Sequence, residues 1–269
     1  MLRHTHFDDG YPAPMTVDPA EAVAGNRRAW DSQSADYQRQ HSDFITEKAL
    51  AWGIWRVPER QLRLLGDVTG KLVLEYGCGG AQYATALAEA GAEPVGLDLS
   101  EQQLRHAQRH VAERGQRVPL VQASAHMTPF ADEVFDVVFC DYGAMTFTDP
   151  YLTVPEAARV LKTGGIFVFC NTSPLYMMCL DLVKDEITTT LQRPYFGMRA
   201  IQDDTEFTDY QITHGEWVTL FRKNRLAIEE LVETQPGEGV TTTYEGRPPE
   251  WTRRWPAEEI WKLRKEVST

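Results

Sequence analysis

Four residues in a short part of the chain have the types and spacing to bind a nucleoside. Glu75, Gly77 and Gly79 lie in the run LVLEYGCGGA, residues 72–81, and Asp98 follows 23 residues after Glu75. The run predicts an apolar strand that enters a glycine-rich turn, where missing Cβ atoms let the backbone approach a ligand closely. An acid at this separation, in a strand–helix–strand unit, accepts hydrogen bonds from ribose hydroxyls. The pattern therefore predicts a nucleoside site.

The residues that flank the turn indicate which nucleoside fits. A dinucleotide motif places a third small residue five positions after its first glycine, but Gln82 stands at that position here. Glu75 lies two residues before Gly77, and its carboxylate would repel a pyrophosphate but attract an α-ammonium group. The residues thus favour a nucleoside that carries an amino-acid cation over NAD(P).

Apolar runs and helical patterns alternate around these residues. The predicted strands cover 72–76, 94–97, 118–121, 135–140 and 166–170. They are continuous apolar runs, as expected where helices cover both faces of a parallel sheet. Two of the predicted helices cover 82–90 and 154–162. Between them, a capping box formed by Ser100 and Gln103 marks the start of a third helix. This alternation predicts a doubly wound α/β sheet.

The rest of the chain is organised around this sheet. Residues 1–18 are predicted to form a flexible arm, and 19–66 a helical cap with helices over 19–41 and 47–65. The domain over 67–269 contains an insertion at about 171–206, beside the strand ends where open α/β sheets bind ligands. We expect this insertion to form a lid, because long loops commonly carry function; the alternative is an elaboration of the sheet edge. The predicted elements after it are a strand at 207–212, a helix at 215–223, and strands at 227–232 and 260–264.

Composition narrows the possible partners and compartment. The 269 residues carry a formal net charge of −12, which opposes binding to a nucleic-acid backbone. The four cysteines form no C-x-x-C pair, which indicates structural thiols in a reduced compartment. The first residues contain no apolar signal region, and no apolar run is long enough to cross a membrane. We therefore expect a cytoplasmic protein that binds neither membrane nor nucleic acid.

On these motifs the chain resembles the class I S-adenosylmethionine (SAM)-dependent methyltransferases that act on small molecules. Their first motif, E/D-x-G-x-G-x-G, matches residues 75–81, with Ala81 at the last glycine. The resemblance continues through residues 125–130, 135–139 and 158–165. It implies a Rossmann-like methyltransferase fold with a mostly parallel seven-stranded sheet, N-terminal helices, and SAM as cofactor. The implied reaction moves a methyl group to an O, N or C atom of a small organic acceptor.

The resemblance also assigns cofactor-binding residues. Asp98 corresponds to the acid that bonds the ribose, and Ser124 stands where many relatives have an Asp against the adenine amino group. Tyr37 corresponds to an aromatic residue that can face the sulfonium, although core packing explains it equally well. The D/N-P-P-Y/F motif of enzymes that methylate amino groups of nucleic acids is absent at 140–143. The complete predicted cofactor set is Tyr37, Glu75, Gly77, Cys78, Gly79, Asp98, Leu99, Ser124, Ala125, His126 and Cys140.

Three residues are candidates for orienting the acceptor or removing its proton. Asp141 and Tyr142 end the fourth strand, at the edge that faces the methyl group in this fold, although Asp141 could equally cap the next turn. His214 precedes a helix near the predicted lid, where a neutral imidazole could accept a proton; the alternative is simple exposure. No His, Asp or Glu cluster has the spacing of metal ligands, so we expect a metal-independent enzyme.

The same motifs are compatible with two other functions. One is a SAM-binding protein of the same fold with different chemistry, because the recognisable motifs all serve the cofactor. The other is an NAD(P)-dependent oxidoreductase, which Gln82 and Glu75 disfavour.

Exchange of Asp98 for alanine is expected to abolish measurable affinity for SAM, because the ribose would lose its charged acceptor. Isothermal titration of the wild type and of Asp98→Ala with SAM, and of the wild type with NAD, measures this. Wild-type affinity in the variant would refute the site, and tight NAD binding would refute the choice of nucleoside.

Overall fold

A seven-stranded sheet forms the centre of the structure, a computed structural model that describes residues 17–202 and 206–267. Its strands are β1 (Leu72–Tyr76), β2 (Glu93–Asp98), β3 (Leu120–Gln122), β4 (Phe135–Asp141), β5 (Leu161–Thr172), β6 (Leu226–Glu233) and β7 (Glu258–Lys265). Their order is β6-β7-β5-β4-β1-β2-β3. Only the pairs formed by β7 are antiparallel. The predicted doubly wound, mostly parallel seven-stranded sheet is therefore confirmed.

Helices and short hairpins surround the sheet. The described helices are α1 (Pro19–Glu47), α2 (Glu59–Leu62), α3 (Gln82–Glu89), α4 (Glu101–Glu113), α5 (Gly143–Phe147), α6 (Pro150–Val160), α7 (Pro174–Cys179), α8 (His214–Lys223) and α9 (Pro249–Thr252). Three hairpins pair 51–52 with 57–58, 180–181 with 186–187, and 200–202 with 208–210. Within the described residues, no helix is long and apolar enough to cross a bilayer. Residues 1–16, nearly the whole of the predicted arm, lie outside the described residues.

The central strands are apolar on both faces because helices cover both sides of the sheet. Val138 and Phe167 point to one face, where they join a core with Trp217 of α8. Val137 and Val168, each one residue away, point to the other face and pack in a core that includes Trp52. Each large side chain buried in this way stabilises the fold by about 2 kcal/mol. The continuous apolar runs seen in the sequence are the direct consequence.

The N-terminal cap differs from its prediction. A single helix continues to Glu47, whereas the helix predicted over 47–65 is wrong except for α2. A hairpin over 51–58 takes its place. Its turn requires Gly53, because φ there is +68° and a Cβ atom would overlap the carboxyl group of Glu258. Trp52 is fully buried against the sheet, so the apolar residues of this segment serve tertiary packing.

A buried amide on helix α1 connects it to two other parts of the molecule. The Asn26 side chain donates hydrogen bonds to the carbonyl oxygens of Phe147, at 2.6 Å, and Thr208, at 3.0 Å. Its oxygen accepts a hydrogen bond from the backbone N–H of Thr208 at 2.7 Å. Asn26 is completely buried. The amide thus holds α1 against α5 and against the strand at 208–210.

Asn26→Ala is expected to lower the free energy of unfolding by about 2–4 kcal/mol, because it leaves several buried backbone groups without partners. Denaturant unfolding of the full chain measures this. Asn224→Ala is the control, since among the described residues that side-chain amide bonds only the Leu220 carbonyl at the end of α8, and it should cost less than about 1 kcal/mol. Equal losses in the two variants would show that Asn26 is not the anchor.

Candidate functional site

A cavity of about 310 Å³ lies at the carboxyl ends of the parallel strands. Its floor comes from the turn after β1 and from the ends of β2 and β4. Its cover comes from α1, from the 51–58 hairpin and from the segment around Tyr244 and Arg247. The volume lies within the usual range for a small-molecule site, and the mixture of aromatic and charged walls is typical of one.

The glycine turn makes the closest backbone approach in the site. Gly77 has φ of +90°, and a Cβ atom there would overlap the backbone nitrogen of Ala144 at the start of α5. The N–H groups of Gly77 and Cys78 both donate to the Leu97 carbonyl of β2, each at 2.8 Å. The turn is therefore pressed between β2 and α5, and only glycine fits at position 77.

Ala81, which replaces the last glycine of the motif, adopts the strained conformation. Its φ of 55° and ψ of 30° are left-handed, which costs a residue with a Cβ atom about 1 kcal/mol. Its methyl group is completely buried in a small core with Ala84 and Leu104. Burial of one methyl group contributes about 0.8 kcal/mol, so the packing nearly offsets the strain.

Asp98 ends β2 at one end of the cavity. Its Oδ2 accepts from the backbone N–H of Gly79 and its Oδ1 from that of Ser100, both at 2.8 Å. Burial raises the pKa of Asp98 to about 6, against the lowering effect of these hydrogen bonds. A ligand hydroxyl that donated to this carboxylate would stabilise its charged form. The geometry suits a polyhydroxylated ring.

Glu75 lies in the floor between the two ends. It is buried, and its Oε2 accepts from the backbone N–H of Ala84 in the first turn of α3 at 2.8 Å. Burial raises the pKa of Glu75 well above its usual range, and the carboxylates of Asp141 and Asp98 reinforce the shift. A cationic ligand group placed nearby would reverse it.

A buried ion pair stands at the other end of the cavity. The Nη1 of Arg56 donates to Oδ2 of Asp141 at 2.9 Å, and the backbone N–H of Gly53 donates to Oδ1 at 2.9 Å. The Arg56 side chain is 3% exposed, and its Nη2 donates to the Lys48 carbonyl at 2.9 Å. Burial raises the pKa of Asp141, and Arg56 opposes that shift. The pair fastens the 51–58 hairpin to the end of β4.

Tyr142, the residue after Asp141, has an unusual backbone conformation, with φ of 66° and ψ of −82°. Such strain persists only where the surrounding structure holds it, and it is frequent at functional sites. The Tyr142 hydroxyl donates to Oε2 of the fully buried Glu258 at 2.8 Å. Burial, reinforced by the charge of Glu258, raises the pKa of Tyr142 well above its usual value. Tyr142 is therefore a protonated hydroxyl in the cavity wall.

Aromatic rings close the cavity from outside. The Tyr37 hydroxyl of α1 lies 3.0 Å from that of Tyr244, which stacks on His41 with ring centroids 4.4 Å apart. Trp30 meets Tyr37 edge to face at 5.2 Å. These contacts join α1 to the segment before α9, so that two distant parts of the chain form one cover.

The structure brings most of the predicted site residues to this cavity and excludes others. The predicted residues that line it are Tyr37, Glu75, Gly77, Cys78, Gly79, Asp98, Leu99, Ala125, Asp141 and Tyr142. Ser124 and His126 do not line it; the Ser124 hydroxyl lies 2.7 Å from Nδ1 of the His126 ring. Cys140 is completely buried, and its thiol donates to the Tyr142 carbonyl at 3.1 Å.

The predicted base His214 is also outside the cavity wall. It is the first residue of α8, and its Nε2 lies 2.7 Å from a carboxylate oxygen of Glu259. That hydrogen bond raises the pKa of His214. No described residue of the insertion over 171–206 lines the cavity either. The insertion forms an apolar core in which Tyr176 packs against Trp251, and its role as a lid stays a prediction.

Sequence reasoning missed three prominent residues of the site, Arg56, Tyr244 and Arg247. Nothing in their local sequence marks them, because they reach the cavity from segments far from the glycine turn. Within the described residues, no three His, Cys, Asp or Glu side chains are close enough to hold a metal ion. Metal independence stays a prediction.

Comparison with known proteins places this arrangement among methyltransferases. A family model described as a methyltransferase domain matches residues 74–169. Demethylmenaquinone methyltransferase of Clavibacter sepedonicus is 34% identical over 186 residues, which cover 66% of this chain and 71% of that protein. The corresponding enzyme of Geobacillus kaustophilus is 35% identical over 150 residues, 54% of this chain and 62% of that protein. The match thus spans about three fifths of the Geobacillus enzyme.

A solved structure extends the likeness over nearly the whole fold. It is the 1,6-didemethyltoxoflavin-N1-methyltransferase of Burkholderia thailandensis with bound 1,6-didemethyltoxoflavin and S-adenosylhomocysteine. The TM-score is 0.63 at 16% identity, and the alignment covers 97% of this chain and 99% of that one. At this identity the likeness concerns the fold.

Arg56→Met is expected to lower the free energy of unfolding by about 3–5 kcal/mol, because it leaves the Asp141 carboxylate buried without its partner. The folded-state pKa of Asp141, already raised, would rise further, and stability would fall as the pH rises through it. Denaturant unfolding should therefore show a larger loss at pH 8 than at pH 5. The double variant Arg56→Met/Asp141→Asn should lose this pH dependence, and a pH-independent loss in the single variant would contradict the assignment.

Proposed function

This chain belongs to the class I SAM-dependent methyltransferases, and we propose that it transfers a methyl group from SAM to an O, N or C atom of a small organic molecule. The observation that carries the proposal is a single cavity with two chemically different ends. Asp98 and Asp141 end strands β2 and β4, which flank β1, so they lie about two strand spacings, roughly 10 Å, apart. One end suits the nucleoside and the other is left for the acceptor.

The residues of the first end fit SAM. The Asp98 carboxylate would accept the ribose hydroxyls, and the small or apolar side chains of Leu99, Ala123 and Ala125 line the adjoining wall, where the adenine would lie. Glu75 would face the amino-acid part, whose ammonium group would favour its charged form. When bound, SAM supplies an electrophilic methyl group on a sulfonium leaving group.

The residues of the second end would orient the acceptor and exclude water. Asp141 is held by Arg56 and Gly53, which makes it a poor base, and the Tyr142 hydroxyl is already donated to Glu258. We therefore assign both residues to positioning, the effect that contributes most where the leaving group is already activated. The aromatic walls formed by Trp30, Tyr37, Tyr142, Phe147 and Tyr244 favour a flat, apolar acceptor.

The proposed compartment is the cytoplasm. All four cysteines are free thiols buried in the fold, a pattern that supports a reducing environment. The formal net charge of −12 supports a small-molecule acceptor over a nucleic acid.

Incubation of the full chain with SAM and a panel of small aromatic hydroxyl, amino and quinol compounds tests the proposal. We expect S-adenosylhomocysteine to form together with an acceptor that has gained one methyl group, both detected by mass spectrometry. Asp98→Ala should reduce this formation at least about 100-fold, since two charge-assisted hydrogen bonds are lost.

Glu101→Ala removes an exposed acid three residues further on and should leave the rate unchanged. Tight SAM binding without methylation of any compound in the panel would favour a binding protein over an enzyme.

A further inference from the structure

Arg247 is a cation of the cavity wall whose hydrogen-bonding groups are largely unused. Its guanidinium carbon lies 5.1 Å over the Tyr176 ring, and its Nη1 donates to the Glu245 carbonyl at 3.2 Å. Its Nε is buried and has no hydrogen-bond partner among the described residues. A buried donor left unpaired costs about 1–3 kcal/mol, and more when it is charged. The site therefore gains from a ligand that supplies an acceptor to this edge.

No carboxylate of the described residues forms an ion pair with Arg247, in contrast to Arg56, which Asp141 neutralises. The acidic groups that act on Arg247 from further away are Glu258 and Asp209. The Glu258 carboxylate already accepts three hydrogen bonds. They come from the Tyr142 hydroxyl at 2.8 Å, the Ile54 N–H at 2.8 Å and the Thr234 hydroxyl at 2.7 Å. Arg247 thus keeps a positive charge that none of the carboxylates in the described part of the chain pairs.

The position of Arg247 points to the acceptor rather than to the cofactor. The groups near it are Tyr142, at the end of β4, and Glu258, at the start of β7. In the sheet, β7 is three strands from β1, or roughly 14 Å, and β1 leads into the glycine turn. Arg247 therefore stands on the side of Asp141 and Tyr142 that is remote from Asp98.

We propose that Arg247 binds a carboxylate on the methyl acceptor, so that the substrate is a small aromatic acid. This inference rests on the proposed function and adds the chemical class of the acceptor. The Nε–Nη2 edge of a guanidinium presents two parallel N–H groups that match the two oxygens of a carboxylate. The Tyr142 and Tyr244 rings, which line the same cavity, would hold the flat body of the molecule.

Binding to the chain saturated with S-adenosylhomocysteine tests the proposal. The probes are aromatic acids, each paired with its neutral amide, and include 4-hydroxybenzoate with 4-hydroxybenzamide and 3,4-dihydroxybenzoate with 3,4-dihydroxybenzamide. We expect at least one acid to bind at least about tenfold more tightly than its amide, the effect of one charge-assisted contact. The preference for the acid over the amide should vanish in Arg247→Met. It should survive in part in Arg247→Lys, which keeps the positive charge but not the two parallel N–H donors. The control Arg222→Met removes an exposed arginine of α8 and should keep the full preference.

The titration with S-adenosylhomocysteine that precedes each measurement separates the possible failures. If the wild type does not bind S-adenosylhomocysteine, the proposed function itself fails. If Arg247→Met binds it much more weakly than Arg247→Lys does, Arg247 pairs with the cofactor carboxylate and the proposal is overturned. The proposal is also overturned if no acid in the panel binds better than its amide, or if the preference persists in Arg247→Met.

Discussion

The close contact between the glycine turn and the start of α5 is the constraint on which the site depends. Because Gly77 has no Cβ atom, the backbone after β1 reaches the backbone nitrogen of Ala144. This contact brings the end of β4 beside the turn, while two hydrogen bonds to Leu97 hold the end of β2 on the other side. The cavity floor is therefore a rigid backbone surface, which fixes the Cα positions of the side chains around it.

Charge is distributed unevenly along the cavity. Arg56 and Asp141 neutralise each other and hold the 51–58 hairpin to the end of β4, so their charges stabilise the fold. Asp98 and Arg247 have no such partner within residues 17–202 and 206–267, and burial works against the charged form of each. Two ligands, one with hydroxyl donors beside Asp98 and one with an anion beside Arg247, would satisfy both groups. The same residues that make the free protein less stable than it could be would thus select the ligands.

The prediction from sequence succeeded where a local rule controls the outcome. Continuous apolar runs predicted the parallel strands, and the separation of Glu75 from Asp98 placed both residues in one site, since a strand–helix–strand unit has little freedom. The helix predicted over 47–65 failed because Gly53 turns the chain so that Trp52 can be buried against the sheet. The insertion packs around Tyr176 in an apolar core of its own, a long-range outcome that no local pattern encodes, and its role as a lid stays a prediction.

The sequence by itself determined the fold family and the cofactor end of the site, because these are encoded by residues close together in the chain. Only the tertiary structure decided the composition of the other end, which we assign to the acceptor. Arg56, Tyr142 and the pair Tyr244 and Arg247 come from three separate segments, and their meeting depends on how α1, the hairpin and the segment before α9 pack over the sheet. Such packing follows from the burial of apolar surface summed over the whole molecule, so no local sequence pattern predicts it.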